Sequence, residues 1–348
     1  MTHRPPIHWG CLPHPRRQRG AALLLAMLTV TLVATLASAA LWQQWRHTEV
    51  EQAERERQQA GWILTGALDW ARLILREDGR TNQNTGAGDH LSEPWAIGLQ
   101  EARLSSFLAV DKSDDPPPTL DAFLSGAITD MQGRLNVANL VDQGKLSEPD
   151  VQAFERLFEQ LGLPPTEVSA LARQWLAASQ PAKPPDGQPD IPPPAGEVPL
   201  LPRRLAQLTW LGLPPTSVQA LAPFATVLPE RTPVNLNTAG VEVLVASIPG
   251  LDTARARRLL EQRALRPFKT LADAAAVLGG SPSALQDRYH ATNSRYFQVL
   301  GRLRLGDRVV QERSLVVRNG LDTRTLWRER TAASAQALSP EGQALSLQ

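Results

Sequence analysis

RRQRGAALLLAMLTVTLVATLASAAL, residues Arg16–Leu41, runs three arginines and a glycine into twenty-one residues without a charge. As a helix rising 1.5 Å per residue, Ala21–Leu41 is about 30 Å long, the thickness of a bilayer's hydrocarbon core. Thr29, Thr31, Thr35 and Ser38 interrupt the apolar run, but hydroxyls bond back to helix carbonyls at little cost. Arg16, Arg17 and Arg19 precede the segment, whereas Glu49, Glu51 and Glu54 mix with arginines after it. The positive-inside tendency therefore puts the N-terminus in the cytoplasm and the bulk of the chain on the other side. Two other readings compete with an anchor. A cleaved secretory signal has "LASAAL" available as a small-residue cleavage site, but its apolar core is normally only 7–15 residues long. A buried helix of a soluble protein would need an apolar partner, and nothing in the sequence supplies one.

Beyond Leu41 nothing stops the helix. Trp42 and Trp45 suit a membrane interface, and Arg46–Arg76 contains no proline. Val50, Ala53, Ala60, Leu64, Leu68, Ala71 and Leu75 recur at spacings near three and four, one apolar stripe that must lie against a folded body. Ala21–Glu77 is thus expected to be one rod roughly 85 Å long.

A basic leader ending in Gly20, followed by an uncharged segment able to serve as anchor and assembly helix, resembles the type IV pilin class. The resemblance implies cleavage after Gly20 by a prepilin peptidase and methylation of the new N-terminus, Ala21. The glutamate usual at the fifth mature position is replaced by Leu25. In this the chain resembles the K-class minor pseudopilins of type II secretion, which lack that glutamate and are larger than their partners. A carboxylate in lipid is costly unless paired. A subunit with leucine there asks nothing of a neighbour's charged N-terminus and can sit at the end of a stack. The resemblance further implies a single-pass inner-membrane protein with a periplasmic bulk. Its partners would be the other minor pseudopilins, the major pseudopilin, the prepilin peptidase and the inner-membrane secretion platform.

The 348 residues suffice for about two domains. Twenty per cent charged residues and a net charge of +1 give no global attraction to nucleic acid, and the single cysteine, Cys11, excludes an intramolecular disulfide. Twenty-nine prolines punctuate the chain. TNQNTGAGD and DKSDDPPPT read as loops, and Pro94–Val110 as a short strand and helix. AITDMQGRLNVANL reads as a hairpin turning at Gln132-Gly133. Its D-x-Q-G-R-x-N flavour resembles the pseudopilin class, with a second asparagine, Asn139, falling one residue late.

Residues 150–280 read as short amphipathic helices separated by Pro and Gly. LGLPPT stands at Leu161–Thr166 and again at Leu211–Thr216. It is open to two explanations, a duplicated helical subdomain or reuse of a phrase in which Thr166 or Thr216 caps a helix. Gln180–Pro199 is proline-rich and expected to be extended. The K-class resemblance associates this stretch with calcium, for which Asp186, Asp190 and Glu197 are the candidate ligands; calcium needs six to eight converging oxygens, and solvation is the simpler role for three spread acids. PVNLNTAGVEVLVASIPGLDTARARRLLEQR resembles a helix-hairpin-helix, with Asn237 or Thr238 and then Asp252 or Thr253 as caps. In DNA-binding proteins such a turn offers amides to a phosphate, and Arg255, Arg257, Arg258, Arg263, Arg266 and Lys269 follow it. Asp252, standing where a second glycine is usual, would repel that phosphate.

YFQVLGRLRLGDRVVQERSLVVRNG alternates as a two-stranded hairpin about Gly306-Asp307, too small to stand alone. It is expected to join the strands near residue 130 on the long helix, which makes the helical block an insertion. The fold class is thus α+β: a pilin-like N-terminal helix on an antiparallel sheet, with a large inserted all-α domain, SAM-like or helix-hairpin-helix-like. The expected boundaries are leader 1–20, membrane segment 21–41, pilin-like helix and first strands 42–140, inserted helices 141–285, closing strands 286–320 and a flexible tail 321–348. No catalytic constellation is evident: the histidines (His3, His8, His14, His47, His90 and His290) are scattered, and no phosphate loop or nucleophile elbow is present. The expected function is a non-enzymatic, cofactor-free minor pseudopilin that caps and helps initiate a periplasmic pseudopilus. The alternative is a membrane-anchored periplasmic protein that binds or takes up DNA through the hairpin at Ile248–Asp252.

Overall fold

The computed structural model describes residues 19–104, 122–179, 199–280, 285–306 and 308–334. The chain forms two compact units, one ending at Gly61 and one starting at Trp62, and helix α1 (Arg19–Thr85) contributes to both. It runs through TNQNT, which the sequence presents as loop. In the first unit every side chain from Gly20 to Gln52 is exposed, and the helix is long and apolar enough there to cross a membrane. The hydroxyls bond back as anticipated, Thr29 to the Ala26 carbonyl at 2.9 Å, Thr35 to Leu32 at 2.8 Å and Ser38 to Ala34 at 2.8 Å.

In the second unit α1 lies on a five-stranded sheet whose order follows the chain: β1 (Leu99–Arg103), β2 (Ala122–Asp130), β3 (Tyr296–Leu305), β4 (Arg308–Asn319) and β5 (Asp322–Ser334). Every pairing is antiparallel. Leu64, Leu68, Ala71 and Leu75 of the expected stripe are buried, while Val50, in the first unit, is 63% exposed. The stripe meets Phe297, Val299 and Val316, and Trp95 closes the layer edge-on against Phe297 with ring centroids 5.2 Å apart. At Gly301 a Cβ would stand 3.1 Å from the Leu64 methyl, so the absence of a side chain there lets α1 approach the sheet.

β5 corrects the expectation of a tail from residue 321. Asp322–Ser334 pairs along β4 from Asn319↔Asp322 to Arg308↔Ser334. The signal was present in the Asn319-Gly320 turn, where Gly320 has φ +61°, followed by the β-prone alternation TRTLWRER. The alanine and serine content further on obscured it. The hairpin expected at Gln132-Gly133 is also absent: β2 ends at Asp130, Met131–Gly133 is a single 3₁₀ turn, and Leu135–Asn136 instead pairs in parallel with Ala225–Thr226.

The chain therefore leaves the sheet at residue 131 and returns at 295, between two neighbouring antiparallel strands. Among its described residues the insertion contains α2 (Glu148–Gln160), α3 (Pro165–Ser179), a 3₁₀ helix (Leu205–Leu211), α4 (Pro215–Leu221), α5 (Val241–Ser247), α6 (Thr253–Leu265) and α7 (Leu271–Val277). Phe154, Phe158, Trp175, Leu208, Leu221, Leu244 and Leu259 all belong to one core. Because the core is shared, the LGLPPT echo marks no pair of separate subdomains. At each copy the glycine, Gly162 (φ +67°) or Gly212 (φ +87°), takes the left-handed conformation that ends one helix. The next amide bonds back, Leu163 to the Phe158 carbonyl at 2.8 Å and Leu213 to Leu208 at 3.3 Å. Pro165 and Pro215 then open the following helix, so the prolines take the first helical position and Thr166 and Thr216 do not cap.

Phe297→Ala removes the ring that joins Trp95 to the α1 stripe. Urea unfolding of the variant should show a loss of about 3–5 kcal/mol, and a loss under about 1 kcal/mol would mean that this layer is not the core of the sheet.

Candidate functional site

The two asparagine-rich motifs meet where the insertion leaves and rejoins the sheet. Asp130, at the end of β2, is buried and accepts at 2.6 Å from Thr238 Oγ1, 2.6 Å from Ser294 Oγ, 3.0 Å from Asn235 Nδ2 and 2.8 Å from the Gln132 amide. Burial raises its carboxyl above the ordinary range, although the bonds from Ser294, Thr238 and the Gln132 amide pull the other way. Gln132 spans the neck, its Nε2 donating to the Pro233 carbonyl at 3.2 Å and its Oε1 accepting from the Arg295 amide at 2.7 Å. Gly133 is required by contact, since a Cβ there would lie 3.0 Å from Thr238 Oγ1.

The remaining asparagines act as backbone surrogates. Asn139 both accepts from the Thr232 amide (3.0 Å) and donates to its carbonyl (2.8 Å), pairing as a strand would. Asn136 accepts from the Leu228 amide at 3.0 Å and donates to the Glu230 carbonyl at 2.7 Å. Asn237 holds the Phe268 amide and carbonyl, each at 2.9 Å. Asn237 and Thr238 are therefore spent on the junction, and the cap of α5 is Gly240. Asn139, one residue late by motif, still finds its partner because irregular backbone can present the needed pair at either register.

A second buried cluster adjoins the first. Arg318 on β4 donates to Asp78 Oδ2 of α1 at 2.7 Å, to Asp89 Oδ1, to the Leu75 carbonyl at 3.2 Å and to the Ser294 carbonyl at 3.1 Å. Asp89 Oδ2 also takes the Ser294 amide at 2.6 Å, linking the cluster to the neck. Asp78, Asp89 and Glu93 lie close enough together to suggest a metal site, but their donors are already in place. Asn82 Nδ2 bonds Glu93 at 2.9 Å and Asp89 at 3.2 Å, Trp95 Nε1 bonds Glu93 at 2.7 Å, and the guanidinium supplies the positive charge. A divalent cation there would compete with Arg318 for Asp78 and Asp89. The calcium candidates Asp186, Asp190 and Glu197 lie outside the described residues.

The helix-hairpin-helix turn is built as expected, with Gly250 at φ +72°. Asp252 caps α6 by accepting from the Arg255 amide at 2.7 Å, so a carboxylate holds the place a phosphate would take. Two of the arginines counted toward DNA are used inside the domain: Arg255 bonds the Leu278 carbonyl at 2.7 Å, and Arg263 bonds the Leu236 and Ala239 carbonyls at 2.7 and 2.6 Å. Arg257, Arg258, Arg266 and Lys269 are exposed. Gly20, Ala21 and Leu25 all lie on the exposed start of α1, with Leu25 64% exposed. Neither junction was predicted as a site; the D-x-Q-G and N-x-N-T motifs were the available signal.

Arg318→Met leaves Asp78 and Asp89 buried without their cation. Denaturation should register a cost of about 3–5 kcal/mol, partly recovered when Asp89→Asn is added; an unchanged midpoint would remove Arg318 from the centre of the fold. Asp78 titrates in a testable range, because burial first, and then the Glu93 carboxylate, push it up to about 7 from 3.8 despite Arg318. A raised carboxyl favours the folded state fully below pH 3.8, and that contribution is lost as pH rises to about 7. The stability difference between the wild type and Asp78→Asn should therefore drift against the wild type between pH 4.5 and 7.5, and a flat difference would contradict this assignment.

Two family models described as type II secretion system (T2SS), protein K, match residues 133–230 and 234–293, the two parts of the insertion that the asparagine junction ties together. The chain is 29% identical over 303 residues to type II secretion system protein K of Pseudomonas aeruginosa, spanning 84% of this chain and 86% of that one. It is 27% identical over 332 residues to the Klebsiella pneumoniae protein of the same name, spanning 87% and 94%. Its fold is similar to that of a chain in the crystal structure of the GspK-GspI-GspJ complex from the enterotoxigenic Escherichia coli type 2 secretion system, with a TM-score of 0.60 and 19% identity over 80% of this chain and 98% of that one. Both family matches thus fall on the helical domain that interrupts the sheet between two adjacent strands, and the chain is similar to type II secretion system protein K along most of its length.

Proposed function

We propose that this minor pseudopilin caps the periplasmic pseudopilus of a type II secretion system and helps to initiate its assembly, acting by binding and without catalysis or a bound cofactor. The observation that carries this reading is the pairing of an uncharged anchor, with Leu25 at the fifth position after Gly20, with a bulky insertion between β2 and β3. A glutamate at that position would need a neighbour's N-terminal amine beside it in lipid. Leucine needs none, so the subunit can occupy an end of the stack. Its partners in this role are the other minor pseudopilins and the major pseudopilin, and a GspK-GspI-GspJ complex known from Escherichia coli supports the first of these. Cleavage between Gly20 and Ala21 by a prepilin peptidase releases the helix from its cytoplasmic leader. Arg16, Arg17 and Arg19 favour an N-terminus in the cytoplasm, which leaves the bulk in the periplasm beside an inner-membrane secretion platform.

Mass spectrometry of protein purified from its native membrane tests the reading. The expected N-terminal peptide begins at methylated Ala21, and Gly20→Val should retain the leader. A mature terminus near Leu41, or an uncut leader in the wild type, would overturn it.

A further inference from the structure

On the face of the sheet opposite α1, a cleft of about 510 Å³ opens between the strands and the insertion. Four arginines from three parts of the chain line it, Arg134, the adjacent Arg203 and Arg204, and Arg313, against a single carboxylate, Glu329. Arg204 bonds Glu329 at 2.7 Å and lies over the Trp327 ring, 5.2 Å from its centroid. Arg134 donates to the Ala222 carbonyl at 2.9 Å. The side chains of Arg203 and Arg313 have no hydrogen-bond or ion-pair partner among the described residues.

We propose that this cleft binds an acidic, extended segment of a partner polypeptide, with carboxylates on Arg203 and Arg313. Charge complementarity selects an anion, and planar guanidinium groups favour carboxylates that they can grip with two hydrogen bonds. Val218 and Leu300 contribute apolar wall, which suits alternate side chains of an extended peptide better than a bare inorganic ion. Thus α6's exposed Arg257 and Arg258, outside the cleft, are not part of the site. The inference goes beyond the capping role and does not require it.

The test uses the full chain in detergent and a rhodamine-labelled octapeptide alternating glutamate with valine, read by fluorescence anisotropy. The glutamate peptide should bind at least ten-fold more tightly than its glutamine counterpart. Arg203→Gln with Arg313→Gln should cost at least ten-fold, and Arg257→Gln with Arg258→Gln nothing. Equal binding of the two peptides would overturn the proposal, and so would an equal loss in the α6 variant, or binding of phosphatidylglycerol vesicles or single-stranded DNA but not of the peptide. Should the double cleft variant fail to fold, the comparison of glutamate and glutamine peptides on the wild type decides alone.

Discussion

Arg318 carries its charge into the interior and is the point from which the rest of the second unit is positioned. Its guanidinium is planar, with donors in fixed directions, and it engages α1 through Asp78 and Leu75, the following loop through Asp89 and the neck of the insertion through Ser294. These partners lie more than 200 residues away along the chain in α1 and its loop, but only 24 away at Ser294. An apolar side chain of equal volume would fill the same space without directing anything. A buried ion pair is weak evidence for stability but strong evidence for geometry, since a desolvated charge tolerates few arrangements. The face of Phe297, 4.9 Å from the guanidinium carbon, completes its surroundings and ties the charged cluster to the apolar layer under α1.

That geometry matters because of where the insertion is placed. Adjacent antiparallel strands are ordinarily joined by a turn of a few residues, and here the turn is replaced by an entire helical domain. The two ends of that domain must therefore lie side by side, as Asp130 and Phe297 do in the register of β2 and β3. Backbone at such a neck is irregular, and its buried amides and carbonyls still need partners. Asn136, Asn139, Asn235 and Asn237 supply them, each offering a donor and an acceptor in one short side chain. The asparagine richness of both motifs thus has a structural cause in the insertion itself. Asp130 gathers the ends, with Thr238 from one side and Ser294 from the other.

What was legible in the sequence was local. The stripe at Leu64, Leu68, Ala71 and Leu75 marks a helix face whatever lies opposite, and the alternation from Tyr296 to Val317 marks strands. Asp252 reads as a cap because the group it satisfies is three residues away. Illegible were features whose partners are distant. Gln132-Gly133 resembles a hairpin turn until Thr238 is placed against Gly133, and Asn237 resembles a cap until Phe268 claims it. Composition misled at one place, where the alanines and serines after Thr331 outweighed the alternation that builds β5. The LGLPPT repeat was visible but ambiguous, because a stop-and-start phrase and a duplicated subdomain leave the same trace until a shared core distinguishes them.

The same local logic explains how one helix serves two solvents. Ala21–Leu41 is apolar all round, which suits lipid, whereas from Leu64 onward the apolar residues keep to one stripe, which suits a sheet. Between them stand charged residues such as Glu51 and Arg55, paired at 2.6 Å one turn apart, which stabilise an exposed helix without asking for any surface to lie on. The change of pattern thus divides the helix by what its side chains meet: those of residues 21–41 are exposed, whereas Leu64, Leu68, Ala71 and Leu75 are buried in the body. Leu25, 64% exposed, belongs to the first set, so a change of side chain there costs the folded body no buried contact.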